Sequence, residues 1–203
     1  MVQTPPRLIT VADFVASYGD HARYELIDGE LIEIEPTGPH EEVAAFIGRK
    51  LNVEIDRQDA GYFIPYRCLI KGRSTATAFR PDIAVLDKAQ LKNEPLWQQE
   101  PVITLGASIK MLVEVVSTNW QNDYARIKED YALLGIPEYW IVDYLGAGGR
   151  DYIGKQKKPT ITLCTLAGDE YQKRQFRDDD FLCSSVFPDL ALNANNIFNA
   201  ATQ

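Results

Sequence analysis

A chain of 203 residues, 45% hydrophobic and 25% charged, has the size of one globular domain with a sizeable core. Its formal net charge of −8 argues against a protein that coats nucleic acid through a broad positive field. No apolar run reaches the roughly 18 residues needed to cross a bilayer, and the start MVQTPPRLIT has no hydrophobic signal core, so a soluble cytoplasmic protein is expected.

Thr10 can cap a short helix through Ala12, Phe14, Val15 and Tyr18, which Gly19 stops. In RYELIDGELIEIE, two alternating runs flank Asp28 and Gly29, a pair suited to the positive φ angles of a type I′ turn, so a β-hairpin is expected. Pro39 and His40 then open a helix to about Asp56, with Val43, Phe46, Ile47, Leu51 and Ile55 on one stripe that should pack on a sheet.

From Gly61 the run YFIPYRCLI reads as a strand, followed by a turn region over 72–77 and a second strand over 83–86 as its neighbour. The stretch 60–81 has no acid and carries Arg67, Lys71, Arg73 and Arg80, a basic lane leading into Asp82 that should border the Asp82 cleft if DNA is the substrate. KMLVEVVS is apolar on both faces, as in a central strand covered on both sides. Ser117 or Asn119 can cap the next helix, in which Trp120, Tyr124, Ile127, Tyr131 and Leu134 recur at helical spacing before Gly135, and the strand EYWIVDY follows. Shorter β runs are expected over 161–166, 171–176 and 182–186, then a helical turn near 195–198. Cys68, Cys164 and Cys183 form no CxxC pair and read as core thiols.

Glu114, in the middle of MLVEVV, is the residue that asks for an explanation, because a buried carboxylate loses several kcal/mol of hydration unless a cation or hydrogen bonds replace it. An ion pair with Arg or Lys, or a place facing solvent on an edge strand, is one answer and a metal is another. Asp82 follows the rigid Pro81 at the entry to IAVLD, where it is either a turn-forming Asp or a second ligand. Two carboxylates on adjacent strands make a hard oxygen site suited to Mg²⁺, with Mn²⁺ able to substitute, and such a metal can activate water for phosphodiester hydrolysis.

The order Arg80-Pro81-Asp82, then Glu114-Val115-Val116, then a helix and GIPEYWIVD resembles the "putative restriction endonuclease" family of bacterial proteins, within the PD-(D/E)XK superfamily. The similarity extends over YELIDGELIEI, PTGPH and FPDLAL, most of the chain. The resemblance implies an α/β (α+β) fold with a restriction-endonuclease-like αβββαβ core, an N-terminal β-hairpin and additional C-terminal strands. It implies a Mg²⁺-dependent endonuclease acting on DNA, with Asp82 and Glu114 as metal ligands and no organic cofactor. A homodimer is expected with it, since two sites related by a two-fold axis can nick both strands.

The usual Lys two residues beyond the acid is replaced here by Val116. The resemblance then points to a lysine from the following helix, and Lys128 is the expected one, although Ile127 occupies the position four before Tyr131 where family members carry it. Lys110 is the runner-up, sharing a strand face with Glu114. His40 and Glu25 match family residues and are expected at the site, although a helix-start hydrogen bond and a pair with Arg23 would explain them equally. Arg80 is expected to hold the scissile phosphate or to neutralise the acids. The alternative to catalysis is a nuclease-like fold that only binds nucleic acid or a protein partner, and a weaker one is a structural or oligomerising domain.

Overall fold

The computed structural model describes residues 8–117 and 121–201. Asn119 and Trp120, expected in the helix after the central strand, lie outside the described residues.

The chain starts with α1 (Val11–Tyr18), whose N-cap Thr10 forms a capping box with Asp13. The hairpin β1 (Tyr24–Ile27) and β2 (Glu30–Glu33) follows, with Asp28 and Gly29 at φ 52° and 83°, the paired positive angles of the expected tight turn. Helix α2 (Gly38–Gln58) is capped by Thr37 and buries His40, Val43, Ile47, Leu51 and Ile55 on one face.

The run YFIPYRCLI is not one strand. It divides into β3 (Tyr62–Phe63) and β4 (Leu69–Lys71), which join different sheets. Pro65, which has no N–H for a ladder, lies between them. The turn region leads into β5 (Ala78–Phe79), then β6 (Ile83–Asp87), β7 (Val102–Ile103) and β8 (Ile109–Val115). A π-helical stretch, Asn122–Ile127, runs into α3 (Lys128–Leu133), which ends at Gly135 with φ 77°. Next come β9 (Glu138–Asp143), α4 (Arg150–Ile153), β10 (Thr160–Ala167), β11 (Glu170–Phe176) and α5 (Ala194–Phe198). The segment 182–186 is no strand: only Phe181 bridges to Asn193, and the loop is held by side-chain bonds instead.

The larger sheet has the order β11-β10-β9-β8-β6-β3, with β8 and β9 parallel and the other pairs antiparallel. The order α2, β3, β6, β8, α3, β9 is the expected αβββαβ core. The smaller sheet, β2-β1-β5-β4-β7, carries the hairpin. Alternation along the large sheet sends Ile83, Val85, Met111, Val113, Trp140 and Val142 toward α2 and the C-terminal segment. Ala84, Leu86, Leu112, Tyr139 and Ile141 face Tyr131, Ile127 and Phe79 on the other side. Helices thus cover both faces of β8, which is why its sequence is apolar throughout. Cys68 and Cys164 are buried in this core, but Cys183 is exposed, so the expectation of three core thiols fails for that one.

No helix among the described residues is long and apolar enough to cross a membrane.

Candidate active site

One cleft of about 270 Å³ opens where the first turn of α2, the entry to β6, the end of β8 and the hairpin meet. Glu25, His40, Arg80, Asp82, Glu114, Val115 and Ile127 line it, with Glu33, Glu35 and Ser117. Five of the six expected site residues are therefore brought together from four separate parts of the chain. Lys128 is not among them.

Asp82 sits one residue before β6, beside the end of β8. Its Oδ2 accepts the Val115 N–H at 2.7 Å and lies 3.3 Å from His40 Nε2. Oδ1 has no partner among the described residues, and the side chain is 22% exposed, enough to face the cleft. Glu114 is 7% exposed; Tyr131 Oη donates to its Oε1 at 2.8 Å, and the Asp82 N–H lies 3.4 Å from its Oε2. The two carboxylates are thus cross-tied through the backbone of each other's strand. Pro81, whose φ is fixed, sets the direction in which Asp82 enters.

His40 is buried in the first turn of α2, and its Nε2 lies 2.9 Å from the Val115 carbonyl. A carbonyl and a carboxylate both accept, so Nε2 must carry the hydrogen. Burial pulls the imidazole pKa down, but the bond and charge of Asp82, the Val115 carbonyl and the charge of Glu41 outweigh it and leave it raised. Nδ1 is buried with no hydrogen-bond partner among the described residues, 4.0 Å from Glu41 Oε1. His40 as placed is a donor that holds Asp82 and Val115.

Glu25 comes from β1 of the smaller sheet, and its Oε1 accepts the Arg80 N–H at 2.7 Å. Burial, opposed by that bond and reinforced by the charge of Asp82, pushes its carboxyl from 4.5 up to about 7. A carboxyl raised in the folded state binds its proton more tightly there than in the unfolded chain. Its contribution is therefore fully present below pH 4.5 and is lost as pH rises through 7. In metal-free protein the urea midpoint is expected to fall between pH 5 and 8, by up to roughly 3 kcal/mol in stability, and Glu25→Gln should flatten that slope. Parallel profiles for the two proteins would refute the assignment.

Arg80 is placed otherwise than expected. Its Nε donates to the Tyr24 carbonyl at 2.9 Å, its Nη2 to the Gly19 carbonyl at 2.9 Å and the Tyr18 carbonyl at 3.3 Å, and the guanidinium lies over Phe14. The side chain ties the C-terminal end of α1 to the hairpin, and the backbone N–H serves Glu25. The rest of the basic lane does not follow it into the cleft: Arg67 bonds the Asp20 carbonyl and lies over Tyr66, and Lys71 borders a separate groove with Val11 and Leu96.

Lys128 is half-buried beside Lys173 and Cys164. Burial first, and then the neighbouring Lys173, hold its ammonium below the ordinary lysine range. Each helical residue turns the side chain by about 100°, so the neighbour Ile127 faces the cleft and Lys128 does not. Lys110 pairs with Asp87 at 3.2 Å, and Val116 is buried with its N–H on the Val142 carbonyl. Among the described residues no lysine lines the cleft. Tyr131 is the site residue that sequence reading missed: an aromatic at helical spacing reads as core, and nothing local signals its bond to Glu114.

The donor set fits a hard divalent cation. Asp82 and Glu114 line one cleft beside Val115, and Mg²⁺ is commonly held by one or two carboxylates with water and phosphate completing its shell. Among the described residues no group of three or more His, Cys, Asp or Glu side chains is placed to hold a metal ion.

The profile of the family described as "Putative restriction endonuclease" (Uma2) matches residues 11–195. No curated protein matches the chain. A crystal structure described as a putative nuclease belonging to DUF820, from Anabaena variabilis, superposes with a TM-score of 0.66 at 16% identity, covering 95% of this chain and 99% of that one. At that identity the likeness speaks for the fold alone, which is restriction-endonuclease-like. The chain belongs to the Uma2 family of putative restriction endonucleases.

Proposed function

We propose that this protein is a Mg²⁺-dependent endonuclease that hydrolyses DNA phosphodiester bonds in the Asp82–Glu114 cleft. The observation that carries the reading is the convergence of these two carboxylates, from the entry to β6 and the end of β8, on one cleft of a chain from this family. Five acids line the cleft, with Arg80 and His40 opposing them, and Glu35 is paired to Arg23. Without a cation such a surface repels a phosphate. A Mg²⁺ ion held there by Asp82 and Glu114 would supply polarisation of the phosphate, a water of lowered pKa and stabilisation of the departing oxygen, and Mn²⁺ would supply the same chemistry.

The chain's own residues then divide the work. Asp82 and Glu114 hold the cation. His40 fixes Asp82 Oδ2 and the Val115 carbonyl. Glu25, with its carboxyl raised to about 7 by burial, is suited to move a proton at the cleft, where among the described residues no lysine is placed to orient the water. A homodimer would set two such clefts against the two strands of a duplex.

Supercoiled plasmid is the test. Nicking with Mg²⁺ or Mn²⁺, and none in EDTA, is expected; equal nicking in EDTA would sink the metal-dependent reading. Lys128→Ala is expected to leave the nicking rate unchanged, because Lys128 lies beside Lys173 and outside the cleft. A large loss on that substitution would restore it as the catalytic lysine.

A second reading has an observation of its own. With Val116 buried and Ile127 facing the cleft, both positions where a catalytic lysine is expected are apolar. A protein that binds a divalent metal and DNA without turnover would follow if Glu25 cannot replace that lysine.

A further inference from the structure

Glu114 is a flexible ligand by chemistry: the carboxylate torsion is broad and nearly two-fold, so its oxygens interchange unless something distinguishes them. Here something does. Oε1 accepts from Tyr131 Oη at 2.8 Å, and Oε2 lies toward the Asp82 N–H at 3.4 Å, on the side of the other carboxylate. Tyr131 itself has no freedom to follow solvent. It is fully buried, and its ring meets Phe79 edge-on at 5.5 Å and Tyr139 at 5.1 Å between centroids. Burial, and then the charge of Glu114, raise the phenol well above its ordinary range, so it remains a donor at every pH near neutrality.

We infer that Tyr131 is a positioning residue of the cleft, fixing Glu114 through Oε1 so that Oε2 is presented with Asp82 to a divalent cation. The inference rests on the metal-site reading above and adds to it the residue that orients the second ligand. A neutral donor suits this role better than an ammonium or guanidinium would. It constrains the carboxylate without itself bringing a positive charge, whereas a buried Lys or Arg in the same place would compete with the cation.

The test uses the full chain and Mn²⁺ as the probe. Tyr131→Phe keeps the ring and its packing and removes the donor alone. Calorimetric titration is expected to show Mn²⁺ binding weakened about tenfold to a hundredfold, the range found when an outer hydrogen-bond partner of a ligand is removed. The metal dependence of nicking should move to higher Mn²⁺ by a similar factor, with a smaller change in rate at saturation. Tyr171→Phe deletes a comparable hydroxyl, bonded to the Ile136 carbonyl at 2.8 Å away from the cleft, and should leave Mn²⁺ affinity unchanged. In a Glu114→Gln background, adding Tyr131→Phe should cost no further affinity. If wild-type protein binds Mn²⁺ and Tyr131→Phe binds it equally well, the positioning role is overturned while the metal site stands. If the wild-type protein binds no Mn²⁺, the site reading and this inference fall together.

Discussion

If Asp82 and Glu114 hold the proposed cation, Asp82→Asn and Glu114→Gln are each expected to reduce plasmid nicking by roughly a thousandfold or more, since several kcal/mol of transition-state stabilisation would depend on it. The two effects should not add, because either change dismantles the same site. Glu114→Gln should also weaken Mn²⁺ binding strongly in calorimetry. Stability is expected to move little or to rise. Asp82 and Glu114 face each other and Glu25 across one cleft, so removing one negative charge relieves repulsion in the metal-free protein. Asp82→Asn keeps an oxygen for the Val115 N–H at Oδ2, which limits the structural damage. Nicking by either variant at the wild-type rate would remove these residues from the mechanism.

The parts of the fold that could be read from the sequence were those set by local chemistry. Asp28 and Gly29 occupy positive φ because their residue types tolerate it, and the hairpin register follows from that turn. The stripe of α2 and the two-sided apolar character of β8 each report burial directly. The division of YFIPYRCLI between two sheets was not legible, since Tyr62 pairs with Asp87 and Leu69 with Val102, partners 25 and 33 residues away that no local window contains. Lys128 shows how narrow the margin is at the site: one residue of helical rotation separates it from Ile127, which faces the cleft. Arg80 lines the cleft with the acids, but its guanidinium goes to the carbonyls of Tyr18, Gly19 and Tyr24, a destination set by the docking of α1.

Glu138 sharpens the same point, because on sequence grounds it resembles Glu114: an acid in an apolar strand, on the parallel neighbour β9, opposite Met111 of β8. It was not singled out, and its environment gives it a different role. Fully buried on the α2 face, its Oε1 accepts from Trp140 Nε1 at 2.7 Å and Ser184 Oγ at 2.6 Å. Its Oε2 accepts from the Ser185 N–H at 2.6 Å and hydroxyl, and from the Val186 N–H at 3.3 Å. A carboxylate so surrounded needs no metal, and it does not line the Asp82–Glu114 cleft. What it holds is the turn that delivers Phe187, Leu190 and Leu192 into the core against α2, in place of the strand expected over 182–186. Glu138→Ala would strand these buried donors and is expected to destabilise the protein by about 3–5 kcal/mol, or roughly 10 °C in Tm for a chain of this size. Glu138→Gln should also be costly, since one amide nitrogen would then point at donors. Metal affinity measured in the remaining folded protein should stay at the wild-type value, the reverse of the Glu114→Gln result. A Glu138→Ala protein as stable as wild type would mean that the Ser184–Val186 turn is held by apolar packing alone.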